Sequence, residues 1–168
     1  MTRKINEIFY SLQGEGANTG VPSVFVRFSG CNLRCHFCDT RHQHGREMTD
    51  EEIIAAVARH HAPLTILTGG EPSLWIDSEF VRALKMGTGS RICIETNGTR
   101  PLPEGLDWVT VSPKSGICGS DQSDLPIVAQ HADEIKVVDL GQPLDPYFML
   151  ECRREDTLMY LQPCHVED

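Results

Sequence analysis

Six short apolar segments, separated by stretches with helical spacing, constrain the fold of this chain more than any other feature of its sequence. The segments cover residues 23–28, 64–68, 91–96, 108–112, 134–139 and 157–162. They are rich in β-branched and aromatic residues, as strands are. After the first segment, Thr49 and Glu52 have the spacing of a helix capping box, and Ile53, Ile54 and Val57 follow with helical spacing. The alternation predicts parallel strands joined by right-handed helical crossovers.

A second helix is predicted over 77–86, with Gly87 ending it. Six parallel strands are too few for a closed eight-stranded barrel. The prediction is therefore an α/β fold, a partial (incomplete) (β/α) barrel, with a doubly wound sheet as the alternative. A chain of 168 residues without an internal linker is expected to form one domain over 1–168.

Charge and composition exclude several classes of partner. The net charge of −9 argues against a broad nucleic-acid footprint and against binding to anionic membranes through a basic patch. The apolar runs are too short to span a bilayer, and the first twenty residues lack the pattern of a signal peptide. Seven cysteines, three of them within eight residues, fit a reducing compartment with a metal site better than a disulfide scaffold. We expect a cytoplasmic protein.

The strongest chemical signal is the group of three cysteines directly after the first predicted strand, at Cys31, Cys35 and Cys38. Thiolates are soft ligands that suit iron–sulfur clusters and zinc. Four-iron clusters usually take four cysteines. A local set of three therefore predicts a [4Fe–4S] cluster with one iron open to a small molecule, and hence an enzyme. Zinc completed by His36, His42 or His44 is the alternative.

Polar and glycine-rich residues follow the other predicted strands, where an α/β sheet places its active site. They are Gly69, Gly70 and Glu71 after the second strand, Glu95 and Asn97 at the third, Ser112 and Lys114 after the fourth, and Gln162 at the last. The paired glycines allow close approach to a ligand, and Glu71 suits an ammonium group. Glu95 and Asn97 suit hydroxyls, and Lys114 suits a carboxylate. Ordinary turns and an exposed loop lysine are the alternatives.

Three further candidates lie near the first strand. Gln13 and Glu15 offer both types of hydrogen-bonding group, which suits an aminopyrimidinone-type ring, unless they belong to a flexible loop. Arg27 matches a substrate carboxylate, unless it is a surface strand residue. Asp39 and Thr40 offer oxygen ligands for Mg²⁺, or a helix N-cap.

Taken together, these motifs resemble a known family. They are SLQGEG (11–16), VPSVFVRFSGCNLRCHFCDT (21–40), LTGGEP (67–72), IETNG (94–98), SPK (112–114) and YLQP (160–163). The cysteine spacing with a downstream Gly-Gly-Glu resembles the radical S-adenosylmethionine superfamily. The full set is similar to the 7-carboxy-7-deazaguanine synthases within it.

This resemblance implies that the open iron binds S-adenosylmethionine and that a 5′-deoxyadenosyl radical takes a hydrogen atom from 6-carboxy-5,6,7,8-tetrahydropterin. The ring then contracts, ammonia leaves, and 7-carboxy-7-deazaguanine forms, a precursor of queuosine. The implied S-adenosylmethionine contacts are Gly69, Gly70, Glu71, Glu95, Asn97, Ser112, Lys114 and Gln162. The implied substrate contacts are Leu12, Gln13, Gly14, Glu15, Gly16, Arg27, Thr68 and Gly70, with Mg²⁺ on Thr40.

The resemblance also implies a homodimer and a reducing partner such as flavodoxin, and the charge and composition predict no partner among nucleic acids or membranes. Family members continue beyond the Leu-Gln-Pro strand with another helix and a terminal segment, so a sequence ending at Asp168 is expected to have an abbreviated form of the fold. Two other functions fit the cysteine motif alone: a glycyl-radical activase, and a zinc-binding interaction module.

Overall fold

A computed structural model describes residues 1–38, 40, 44–118 and 125–164. In chain order the strands are β1 (Thr2–Leu12), β2 (Pro22–Phe28), β3 (Arg46–Thr49), β4 (Leu64–Gly69), β5 (Arg91–Thr96), β6 (Trp108–Val111), β7 (Ala132–Asp139) and β8 (Arg153–Pro163). The α-helices are α1 (Asp50–Ala58), α2 (Ser78–Thr88) and α3 (Asp145–Phe148). Short 3₁₀ turns cover Gly16–Asn18 and Pro72–Leu74.

Within these residues the strands form one sheet in the order β3-β1-β2-β4-β5-β6-β7-β8. All neighbours from β2 to β8 pair in parallel, and β1 pairs antiparallel with both β2 and β3. Because β3 and β8 lie at the two ends of the order, the sheet stays open among the described residues. The six predicted strands and the partial barrel are confirmed; β1 and β3 were not predicted.

The local signals at α1 are confirmed. The Thr49 side chain accepts a hydrogen bond from the Glu52 backbone N–H, and the Glu52 carboxylate accepts one from the Thr49 backbone N–H, which together form the predicted capping box. The predicted end of α2 at Gly87 is wrong. The helix continues to Thr88, and Gly89 caps it in the left-handed conformation. Gly87 is needed for packing instead, since a Cβ there would lie 2.4 Å from Ile54 Cγ2 on α1.

Side chains alternate between the two faces of the sheet, so one face packs in the core and the other lines the cavity. One face packs against α1 and α2 and forms the main core, with Val24 and Val26 from β2 and Ile92 and Ile94 from β5. On the other face a smaller apolar cluster includes Phe25, Ile66 and Cys93. Further along the same strands and on β7, Arg27, Thr68, Glu95 and Lys136 line a cavity. The concave face therefore changes from apolar to polar towards the carboxyl ends of the strands.

A buried arginine joins the sheet to the starts of both long helices. Arg3 on β1 is 1% exposed, and its Nε lies 2.7 Å from Asp50 Oδ1 at the start of α1. Its guanidinium also pairs with Asp77, the N-cap of α2, at 3.2 Å and lies over the Phe80 ring. None of the described helices is both long enough and apolar enough to cross a membrane.

Candidate active site

A cavity of about 480 Å³ occupies the concave face of the sheet, a volume typical of sites for small molecules. It is lined by nearly every site residue predicted from the sequence. These are Leu12, Gln13, Gly14, Glu15, Arg27, Cys31, Cys35, Cys38, Thr40, Thr68, Gly69, Gly70, Glu95, Asn97, Ser112, Lys114 and Gln162. Two predicted residues, Gly16 and Glu71, are not among the lining residues. Glu71 hydrogen-bonds to groups at the ends of β4 and β5, and Gly16 lies against Glu134 on β7.

The cysteine loop closes one end of the cavity. Cys31 and Cys35 are half-buried and Cys38 is exposed. Burial is the main cause that raises the pKa of Cys31, opposed by the Leu33 backbone N–H, which donates to its Sγ at 3.4 Å. Burial and the Cys118 thiol, whose Sγ lies 3.1 Å away, raise the pKa of Cys35 to about 12. Iron binding at these thiols must therefore release protons.

The chemistry of this donor set fits an iron–sulfur cluster. Cys31, Cys35 and Cys38 all line the same cavity and supply soft ligands from one loop. Among the described residues, no three Cys, His, Asp or Glu side chains converge closely enough to hold a single metal ion. Asp39 and His42, two of the predicted metal ligands, lie outside the described residues.

The glycine pair at the end of β4 brings two backbones together beside the cysteine loop. A Cβ on Gly70 would lie 2.1 Å from the carbonyl oxygen of Gly30, and Gly69 has a φ of +107°. The Gly70 N–H donates to the Phe28 carbonyl at 3.0 Å, and the Glu71 N–H donates to the Gly30 carbonyl at 2.9 Å. Only glycine permits this approach, which fixes the end of β4 against the residue before Cys31.

Glu71 fastens this edge of the sheet rather than facing the cavity. It is fully buried, and Oε1 accepts hydrogen bonds from the Ser73 N–H at 3.0 Å and the Thr96 hydroxyl at 2.7 Å. Its Oε2 accepts from the Asn97 N–H at 2.8 Å. The carboxylate thus joins the end of β4 to the end of β5, where the sequence suggested a partner for a ligand ammonium group.

Asn97 and Lys114 bring polar groups to the same end of the cavity. The Asn97 side-chain amide donates to Asn32 Oδ1 at 3.0 Å, which couples the end of β5 to the cysteine loop. Lys114 Nζ donates to the Ser112 hydroxyl at 2.6 Å and to the Ser112 carbonyl at 2.7 Å. Burial, helped by the Lys136 charge, lowers the pKa of Lys114 to about 8 against the thiol and carboxylate groups that raise it. Lys114 therefore loses its proton more readily than an exposed lysine, and its Nζ lies in the cavity wall beside the cysteine loop.

A second cluster of polar side chains lines the cavity from three strands: Thr68 on β4, Glu95 on β5 and Lys136 on β7. Glu95 Oε1 accepts from the Gln13 amide at 3.0 Å and Oε2 accepts from the Thr68 hydroxyl at 2.8 Å. Lys136 Nζ lies 2.5 Å from Glu15 Oε2 and 3.4 Å from Glu95 Oε1. Burial opposes ionisation of Glu95, but Lys136 and the hydrogen bonds from Thr68 and Gln13 outweigh it and lower the pKa of Glu95.

The loop that carries Gln13 and Glu15 enters from the opposite edge of the sheet. Leu12 pairs with Pro22, the first residue of β2, so the loop begins at the amino edge of the parallel strands. The cysteines follow the carboxyl edge. The cavity therefore runs from the cysteine loop to the Gln13 loop, with strand side chains between them.

Arg27 and Thr40 complete the cavity wall. Arg27 pairs with Glu7 at 3.1 Å and is one-third exposed, so a ligand carboxylate competes with a half-exposed partner. The Thr40 carbonyl accepts from the Cys38 thiol at 3.6 Å.

The sequence interpretation did not single out Lys136 and Glu134 on β7. The available signal was the alternation of Glu134 and Lys136 with the apolar residues Ile135 and Val137.

The open sheet, its carboxyl-edge cysteine loop and its concave cavity are the architecture of a radical S-adenosylmethionine domain. Residues 25–116 match the Radical SAM superfamily. The crystal structure of QueE from Escherichia coli is similar, with a TM-score of 0.81 and 28% sequence identity. The alignment covers 99% of this chain and 85% of that chain.

Curated relatives define the group more narrowly. A 7-carboxy-7-deazaguanine synthase from Bacteroides thetaiotaomicron is 55% identical over 98% of this chain and 83% of its own length. A protein of the same name from Neisseria meningitidis is 36% identical over 96% of this chain and 74% of its own length. The chain belongs to the 7-carboxy-7-deazaguanine synthase family, and membership of the Radical SAM superfamily implies a [4Fe–4S] cluster and S-adenosylmethionine. This outcome favours the iron–sulfur interpretation over zinc.

Proposed function

We propose that this protein is a carbon–nitrogen lyase that converts 6-carboxy-5,6,7,8-tetrahydropterin to 7-carboxy-7-deazaguanine with loss of ammonia, a step of deazapurine and queuosine biosynthesis. One observation carries the proposal. A single cavity joins the three cysteine thiols to a cluster of ring-recognition groups formed by Gln13 and Glu15 with Glu95. A radical generated at the thiol end would therefore meet a heterocycle held at the other end, with close packing around both.

The cofactor end is assigned to the following residues. Cys31, Cys35 and Cys38 would hold the cluster. Gly69, Gly70, Asn97, Ser112, Lys114 and Gln162 line the adjoining wall and would hold S-adenosylmethionine, with Glu71 supporting them. When bound, the cluster and S-adenosylmethionine supply the radical chemistry. The protein's residues bind and orient the reactants and exclude water.

The substrate end is assigned by hydrogen-bonding type. The Glu15 and Glu95 carboxylates would accept hydrogen bonds from the exocyclic amine and ring N–H groups of an aminopyrimidinone. This proposal moves Glu95 from the S-adenosylmethionine contacts implied by the resemblance to the substrate contacts, because its carboxylate joins Gln13 and Lys136. Gln13 adds an amide, and Arg27 would meet the substrate carboxylate by displacing Glu7. Leu12, Gly14, Thr68 and Gly70 line the same volume, and Gly16 would shape the loop. Thr40 would supply an oxygen ligand that holds Mg²⁺ beside the substrate.

The remaining assignments are partners and location. We assign the chain as one domain that forms a homodimer, receives electrons from a small reducing protein such as flavodoxin, and works in the cytoplasm. A cavity of about 480 Å³ is typical of sites for small molecules, and the net charge of −9 gives no support for a nucleic-acid partner.

Turnover by anaerobically purified and reconstituted protein tests the proposal. The protein is mixed with S-adenosylmethionine, a chemical reductant and 6-carboxytetrahydropterin, and the product is identified by mass spectrometry. The expected result is 7-carboxy-7-deazaguanine together with released ammonia. The Cys38→Ala variant, carried through the same reconstitution, is the control for reaction without the cluster. Consumption of S-adenosylmethionine without any deazaguanine product would refute the substrate assignment.

A further inference from the structure

Lys136 is the buried cation nearest to both carboxylates at the substrate end of the cavity. It is 8% exposed, it lies in the middle of β7, and its Nζ contacts Glu15 and Glu95 at 2.5 Å and 3.4 Å. Glu15 comes from the loop after β1 and Glu95 from β5, so one ammonium group joins three separate segments. Burying a lysine is unfavourable unless its charge is compensated, and here two carboxylates compensate it.

The same strand also holds the loop that delivers Glu15. Glu134, two residues before Lys136 on β7, accepts a hydrogen bond from the Ala17 N–H at 2.8 Å. Gly16, with a φ of +67°, lies so close that a Cβ there would fall 2.1 Å from Glu134 Oε1. Residues at positions i and i+2 of a strand point to the same side, so Glu134 and Lys136 both face the loop. Glu134 fixes the loop backbone, and Lys136 fixes the Glu15 side chain.

The charges that face Lys136 determine its own ionisation and that of Glu95. Glu15 and Glu95 contact it, Glu134 lies on its own strand, and Lys114 lies across the cavity. Burial favours the neutral amine, but Glu95 and Glu15 outweigh it and raise the pKa of Lys136. Lys136 in turn lowers the pKa of Glu95 against the effect of burial. The lysine and Glu95 therefore keep each other charged across the neutral pH range.

We propose that Lys136 is a positioning residue that holds the Glu15 and Glu95 carboxylates in place in the cavity, so that the site selects heterocycles presenting an amine and N–H donors over oxo analogues. The inference rests on the proposed function and deepens it. A site with two fixed acceptors rejects a ring that presents a carbonyl in place of the amine, because two acceptors would then face each other without a proton between them. Lys136 acts through the carboxylates and not on the reacting atoms.

The test measures binding rather than turnover. Reconstituted holoenzyme without reductant is dialysed against 6-carboxypterin or 6-carboxylumazine, which has an oxo group in place of the 2-amine, and each is quantified by its own fluorescence. We expect the wild type to prefer the pterin. Lys136→Met should weaken pterin binding at neutral pH by about tenfold or more and bring the two ligands within about threefold of each other. Lys136→Arg should restore most of the preference, since it keeps the charge.

The pH profile separates positioning from simple loss of structure. Without the Lys136 charge, burial raises the pKa of Glu95, so the Lys136→Met variant should bind pterin more tightly as the pH rises from about 6 to about 9. The wild type should show a flatter profile. Lys85→Met, which removes a lysine paired with Asp107 outside the cavity, is the matched control and should bind like the wild type.

The outcomes distinguish the two proposals. If the wild type binds neither ligand, the proposed function and this inference both fail. If the wild type prefers pterin and a folded Lys136→Met variant keeps the same preference and pH profile, the inference alone is refuted. If Lys136→Met does not fold, Glu15→Gln answers the same question from the other side of the ion pair. Its preference should shrink, and an unchanged preference would overturn the inference.

Discussion

Replacing Gly70 by alanine tests how the glycine pair builds the cofactor end of the site. The added Cβ would lie 2.1 Å from the Gly30 oxygen and 2.6 Å from its carbonyl carbon, so the two backbones must separate by roughly 1 Å. Overpacking of this kind costs about 1–3 kcal/mol. The separation also strains the hydrogen bonds of 3.0 Å and 2.9 Å that join this turn to Phe28 and Gly30.

The expected loss of stability is about 2–4 kcal/mol once the strained hydrogen bonds are included. For a domain of this size that corresponds to a fall in Tm of roughly 5–15 °C. Thermal unfolding of the cluster-free protein, followed by circular dichroism, measures this fall. Equilibrium binding of S-adenosylmethionine to reconstituted protein should show a parallel loss of affinity, since the shift also moves the residue before Cys31.

Gly14→Ala is the matched control. Gly14 lines the same cavity, but a Cβ there meets no atom within 4 Å and its φ is not positive. Its Tm should stay within about 2 °C of the wild type. If Gly70→Ala unfolds at the wild-type temperature, the close approach of the two backbones is not a constraint and the reasoning is wrong.

Three further predictions concern the buried carboxylate, the thiols and the Mg²⁺ site. Glu71→Ala leaves three buried donors without their acceptor and should lower the free energy of unfolding by about 3–5 kcal/mol, measured by urea denaturation; a loss below about 1 kcal/mol would show that Glu71 does not fasten the strand ends. Alanine at Cys31, Cys35 or Cys38 should abolish the iron–sulfur absorbance and all turnover, and retained brown colour with activity in any variant would remove that residue from the ligand set. Thr40→Ala should keep the cluster spectrum but weaken the dependence of turnover on Mg²⁺, and an unchanged Mg²⁺ titration would exclude Thr40 from the metal site.

Much of the fold was predictable because its signals are local. Apolar runs of β-branched residues gave the six parallel strands, and the pairing of Thr49 with Glu52 gave the start of α1. Strand β1 was not predicted because the adjacent polar pairs Arg3-Lys4 and Asn6-Glu7 interrupt any apolar alternation in its first half. Arg3 is in fact buried, since Asp50 and Asp77 compensate its charge from sequence-distant helix starts. Such compensation is invisible to a local pattern.

The carboxyl-edge part of the site was predictable from the rule that parallel strands end at the same edge. The rule says nothing about a loop that arrives from the other edge. Because β1 was not predicted, the direction from which Gln13 and Glu15 reach the cavity was not predicted either. Lys136 was overlooked because its partner Glu15 lies 121 positions away in the chain. Contacts of this range are not visible in a local sequence pattern.

Transfer of a hydrogen atom from substrate to cofactor is the most direct test of the central claim, that one cavity holds a cluster-bound cofactor against a carboxypterin. The reconstituted, reduced enzyme is given S-adenosylmethionine and 6-carboxytetrahydropterin deuterated at its ring carbons. The conversion is redox-neutral, so the deoxyadenosyl group can return the hydrogen, and both S-adenosylmethionine and any 5′-deoxyadenosine are analysed by mass spectrometry. The account predicts deuterium in the deoxyadenosyl group of these molecules together with 7-carboxy-7-deazaguanine. A deoxyadenosyl group without deuterium in both molecules, and no deazaguanine, would contradict it.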